Sequence, residues 1–190
     1  MQSRFALASA ILALNLVASA QQPTGASAVN NQFVQNQFGA TCDRDGTPPP
    51  LTGDLNGDNI EDIVIIARCT NPLIDEAEHN FKVIDPFNAF FGYGNPKITS
   101  QFASEEPANR GRVVLIIHGA GAEAWHSDAT KAKFVIINLP FKQVSIRRLL
   151  VKKKPIMAIF AEETGGSQLN SAVFWDGKKY KYRPMGSSMQ

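Results

Sequence analysis

Three apolar runs dominate the chain: IVIIA at 63–67, VVLIIH at 113–118 and FVIINL at 134–139. Each is short, rich in β-branched residues and bounded by polar or turn-forming positions. That pattern predicts buried strands rather than helices. Pro140 ends the third run. QVSIRRLLV, at 143–151, alternates less regularly and predicts a half-exposed strand. KKKP at 152–155 reads as a turn, and 156–161 as the next strand. Near the end, 172–175 and 179–182 flank Asp176-Gly177, which is a hairpin signature. FKVI at 81–84 alternates and predicts one more strand. Helical signals are few. Phe33, Val34 and Phe38 fall on one helical face, Asn30 or Asn31 can cap it, and Gly39 can end it. TPPPLTG at 47–53 predicts extended backbone. The chain turns around Asn71-Pro72, 75–80 suits a loop or one helical turn, and 85–99 reads as ordered but irregular. The strand connections are mostly too short for crossover helices. The expected fold is therefore mainly β, α+β at most. It is an antiparallel sheet, sandwich or blade-like domain with a short N-terminal helix.

The N-terminus adds a destination. Arg4 precedes a short apolar stretch, and Ala18-Ser19-Ala20 supplies a small-residue cleavage site. Residues 1–20 read as a secretory signal peptide, too short in its apolar run to span a bilayer. Residues 21–30 read as a flexible leader and 31–190 as one mainly-β domain. The expected location is the periplasm or the exterior, with no transmembrane segment in the mature chain. Cys42 and Cys69 are the two cysteines of the chain. In an exported protein an even count predicts a disulfide, which would stabilise the fold by about 3–4 kcal/mol on a chain-entropy account. The net charge is +2, and removing Arg4 with the leader lowers it by one. So small a balance gives no reason to expect nucleic acid as a partner.

The densest chemistry lies in GDLNGDNIEDIVII, 53–66. Asp54, Asn56, Asp58 and Asp62 carry oxygens at alternating positions, Ile60 adds a backbone carbonyl, and Gly57 permits a tight turn. Calcium takes about six to eight oxygens in flexible geometry, which such a loop can supply. An EF-hand would need a glutamate where Ile65 stands, so the loop is not of that type. D-x-N-G-D-x-x-x-D running into a strand instead resembles the calcium loop of the FG-GAP/VCBS repeats. The resemblance implies a loop joining two strands of a β-blade. It also implies an ion held at Asp54, Asn56, Asp58, Asp62 and the Ile60 carbonyl. Asn59 stands where that family has glycine, and asparagine tolerates the left-handed backbone required there. With a single such loop a full propeller is not expected. The whole chain resembles small exported bacterial proteins that carry one such loop. The implied calcium role is structural.

Other constellations carry less. LIIHGAGAEAW resembles the oxyanion loop of α/β-hydrolases, but the chain has no G-x-S-x-G elbow. His118 and the Glu162–Glu163 region are the residues an exported hydrolase would use. No catalytic set is assigned. Phe87, Phe90, Phe91 and Tyr93 form an aromatic cluster that either caps a β core or offers a surface to a sugar or peptide. Arg147, Arg148, Lys152, Lys153 and Lys154 form a basic patch, suited to an exposed turn or to an anionic glycan or lipid head group. The expected function is a calcium-stabilised binding or structural module. Its partner, a protein or a glycan, is not specified by the chain.

Overall fold

The structure is a computed structural model, and it describes residues 29–46, 48–93, 109–127, 129, 131–164 and 169–187. The expected signal peptide lies outside these residues. The fold is mainly β, with a short helix near the N-terminus, as the apolar pattern predicts. In chain order the elements are α1 (Asn31–Phe38), β1 (Cys42–Arg44), β2 (Leu51–Gly53), β3 (Asp62–Cys69), α2 (Pro72–Asp75), β4 (Lys82–Ile84) and α3 (Pro86–Phe90). There follow β5 (Arg112–Ile117), a 3₁₀ turn (Ala124–His126), β6 (Lys133–Ile136), β7 (Gln143–Val151), β8 (Lys154–Glu162), β9 (Leu169–Trp175) and β10 (Tyr180–Ser187).

Two sheets form. The first runs β1-β3-β5-β6-β4, with β2 also paired to β3, and the second is the meander β10-β9-β8-β7. All pairings are antiparallel except β4 with β6. The apolar runs explain the layering. β3 and β5 are buried on both faces, so they need hydrophobic residues at nearly every position. Ile63, Ile65, Val113 and Leu115 face a core covered by Val34 and Phe38 of α1 and by Phe81 and Trp125. Val64, Ile66, Val114 and Ile116 face the second sheet, meeting Ile159, Val173, Tyr180 and Tyr182. The first sheet is thus the middle layer. Strands β7 to β10 have one face toward that core, and on the other Leu149, Ala158, Ala172 and Phe174 form a smaller apolar cluster, which is why β8 and β9 are apolar at consecutive positions.

Local signals place the helices. Asn30 caps α1 through the Phe33 N–H, and Gly39, with φ 91°, ends it. Val29, just before the cap, is buried. The stretch read as irregular from Asp85 contains α3. Asp85 accepts the Asn88 N–H and Pro86 opens the helix. Asn71-Pro72 does the same for α2. Both are asparagine- or aspartate-proline starts, a signal legible in the sequence that a reading of turns alone overlooks. β6 stops at Ile136, short of the expected end, because Asn138 turns left-handed and donates to Asp85 at 2.6 Å. β10 runs on past Tyr182 through Pro184, which an edge strand with a register shift accommodates.

Cys42 and Cys69 sit directly opposite each other on β1 and β3 and form a buried disulfide across 27 residues. The β7–β8 hairpin turns tightly on Lys152 and Lys153, with Val151 opposite Lys154. Both turn residues have positive φ, 48° and 67°. Such a turn favours asparagine and glycine, and a left-handed residue with a Cβ costs about 1–2 kcal/mol.

Two outcomes are expected in chemical denaturation. Replacing both cysteines by alanine should lower stability by about 2–5 kcal/mol. The Lys152→Asn/Lys153→Gly double variant should raise it by about 1 kcal/mol, the loss of strain exceeding the entropy added by glycine. A destabilised double variant would mean the lysine side chains hold the turn by contacts of their own.

Candidate functional site

The acidic loop is the connection between β2 and β3, closed where Gly53 pairs with Asp62. Its carboxylates organise its backbone. Asp54 accepts the N–H groups of Gly57 at 2.7 Å, Asp58 at 3.1 Å and Asn59 at 3.0 Å. Asp58 accepts the Ile60 N–H at 2.8 Å, and Asn56 accepts from Asp58 and donates back to its carboxylate. Gly57 and Asn59 both lie in the left-handed region, at φ 81° and 65°. The asparagine therefore adopts the conformation that the resemblance required of it.

Asp62 behaves differently. It is fully buried, and its two oxygens accept the N–H groups of Leu55 and Gly119, each at 2.8 Å. One carboxylate thus ties the start of the loop to the end of β5. Gly119 is required there, because a Cβ would collide with the Glu61 carbonyl and the Ile60 side chain. The glycine that resembled part of an oxyanion loop instead lets β5 close against the acidic loop. Leu55, one of two apolar residues in the loop with Ile60, points inward and is buried between the sheets. Burial pushes the Asp62 carboxyl up to about 6, its two N–H partners oppose the shift, and the charges of Asp58 and Asp54 add to it.

Each carboxylate oxygen carries about two acceptor lone pairs. The hydrogen bonds above use three acceptor positions on Asp54, two on Asp58 and two on Asp62. Each carboxylate keeps acceptor capacity for a hard cation, and the donor chemistry of carboxylate, amide and carbonyl oxygens suits calcium. Among the described residues no three His, Cys, Asp or Glu side chains converge closely enough to hold an ion by themselves. A calcium ion here would need Asn56 and the Ile60 carbonyl as well.

His118 follows β5 on the same side of the sheet. It is buried, its Nε2 lies 2.7 Å from the Tyr180 hydroxyl, and Phe134 and Trp175 pack around its ring. Burial lowers its pKa to about 4, and the nearby charges of Asp58 and Asp54 oppose this without outweighing it. Glu163 is buried and accepts from the Tyr182 hydroxyl at 2.7 Å, while Glu162 bonds Gln143. The residues a hydrolase would use are therefore each engaged in a hydrogen bond, His118 and Glu163 with tyrosines of β10 and Glu162 with Gln143. Trp125 donates to Glu61 at 3.1 Å, a contact signalled only by the need of a buried indole N–H for an acceptor.

Phe87, Phe90 and Phe91 pack edge-on around Tyr182 and one another, at the open side between β4 and β10. Phe87 is half-buried, whereas Phe90, Phe91 and Tyr93 are exposed. Between the acidic loop and the β7–β8 hairpin lies a groove of about 1160 Å³, bordered by Asp54 and Asn56 on one side and Arg148, Lys152 and Lys154 on the other. Comparison with known protein families, curated proteins and solved structures finds no match to this chain.

The buried histidine makes a pH prediction. Unfolded, His118 takes a proton near pH 6.5, whereas folded it resists until about 4. The native state then binds fewer protons, so its contribution to stability is full above pH 6.5 and lost as pH falls toward 4. In calcium-free buffer the wild type should lose about 3 kcal/mol relative to His118→Gln over that window. Parallel urea titrations at several pH values check this, and a pH-independent difference would show that His118 is readily protonated in the folded state.

Proposed function

We propose that this chain is an exported β module stabilised by calcium at the 54–62 loop, of the kind the FG-GAP/VCBS resemblance implies, and that it acts by binding rather than catalysis. The observation that carries the reading is the loop's backbone. Its N–H groups turn inward onto Asp54 and Asp58, and Asp62 fastens the loop to β5. The charges of Asp54 and Asp58 reach Asp62 and raise its pKa, and a divalent cation would relieve that repulsion. Asp54, Asn56, Asp58, Asp62 and the Ile60 carbonyl would hold it. The buried Cys42–Cys69 disulfide fits an oxidising compartment outside the cytoplasm. No helix among the described residues is long and apolar enough to cross a membrane. Binding is preferred to hydrolysis because His118 and Glu163 each serve a tyrosine of β10.

The test is thermal melting in EGTA and in millimolar calcium. Extracellular sites of this kind have dissociation constants of roughly 10⁻⁴–10⁻³ M, so a tenfold to hundredfold excess should add about 1–3 kcal/mol. The Asp58→Ala variant should show no rise. At pH 5 the rise should shrink, since calcium must then displace a proton from Asp62. An unchanged melting temperature, or a rise retained in the variant, would remove calcium from the account.

A further inference from the structure

We infer that the groove between the acidic loop and the β7–β8 hairpin binds an anionic oligosaccharide. The inference rests on the reading of the chain as a binding module and names its ligand class.

The two walls differ in chemistry. On the hairpin wall, Arg148, Lys152 and Lys154 are exposed and make no ion pair or side-chain hydrogen bond with the described residues. Lys181 at the same groove is different, being neutralised by Asp176 at 2.8 Å. Arg183, also at the groove, has no ion pair but donates to the Leu150 carbonyl at 3.1 Å and stacks on Phe174, so the cations without a side-chain partner there lie on the hairpin. On the loop wall, Asp54 and Asn56 supply acceptors and an amide donor. Between the walls lie Met157 and Trp175, both half-buried. Hydroxyl groups, an apolar ring face and a carboxylate occur together in an acidic sugar, and each has a matching wall or floor here. A bilayer is flat and does not enter a groove. An acidic peptide answers the charges but not the pairing of hydroxyl acceptors with an aromatic floor. The volume, about 1160 Å³, exceeds the roughly 300–1,000 Å³ of ordinary small-molecule pockets and suits several sugar units.

The hairpin turn is the independent observation. Lys152 and Lys153 both occupy left-handed backbone where asparagine and glycine would be more stable. Strain of this sort is retained where a side chain has a task beyond the turn, and here Lys152, which lines the groove, has the task of presenting a cation there.

The experiment titrates the disulfide-bonded mature chain by calorimetry with a purified oligouronate, in EGTA and in calcium. Controls are a neutral oligosaccharide of equal length, a poly-glutamate peptide and anionic phospholipid vesicles. The oligouronate should bind and the controls should not. Arg148→Ala/Lys154→Ala should weaken binding about tenfold. Lys152→Asn/Lys153→Gly should weaken it too while raising the melting temperature, which a purely structural turn would not do. No binding, equal binding to poly-glutamate or vesicles, or full affinity in both variants would overturn the proposal. Calcium-dependent melting with no oligouronate binding would overturn this inference alone. Oligouronate binding without a calcium effect would overturn only the ion.

Discussion

A single buried carboxylate organises the end of this molecule. Asp62 accepts one N–H from inside its own loop and one from Gly119 at the end of β5. A buried acceptor left unpaired would cost several kcal/mol, so the two contacts are obligatory and the loop and the strand end must meet. Gly119 is demanded by that meeting, and with it the course of the chain out of β5. Leu55, carried inward by the same loop, then fills the space between the sheets. The loop is thus part of the core at its base and polar only at its rim.

The layering follows from the middle sheet. β3 and β5 bury both faces, with α1 and Trp125 on one side and the four-stranded meander on the other. The disulfide locks β1 onto β3 at the far end from the acidic loop. β3 is consequently held at both ends, by a covalent bond at Cys69 and by the Asp62 contacts at its start. A loop anchored to such a strand has little freedom to spread when its carboxylates repel.

One polar pair crosses between the sheets and a second lies within the meander. Tyr180 and Tyr182, two positions apart on β10 and facing the same core, reach His118 at the end of β5 and Glu163 just beyond β8. The Tyr180–His118 contact ties the register of the meander to the middle sheet, because a one-residue slip would turn Tyr180 to the opposite face. The same registration brings the projecting β7–β8 hairpin beside the acidic loop and so sets basic and acidic walls on either side of one groove.

Most of the strands, the short helix, the disulfide partners and the acidic loop were legible in the chain itself; β1, Cys42–Arg44, has no apolar run and was not. Each is encoded locally, by unbroken β-branched runs, by Asn30 and Gly39 at the ends of an amphipathic segment, and by alternating oxygens around Gly57. Continuous apolar runs even distinguished the doubly covered strands β3 and β5 from the half-exposed β7. The partners of Asp62, His118, Glu61 and Glu163 were not legible, nor was the parallel pairing of β4 with β6. They depend on which strand ends the sheet topology places together, over separations as large as 64 residues for Glu61 and Trp125. Local pattern states which residues must be buried. It does not state what they will meet there, because that is decided only when two independently formed surfaces pack against each other.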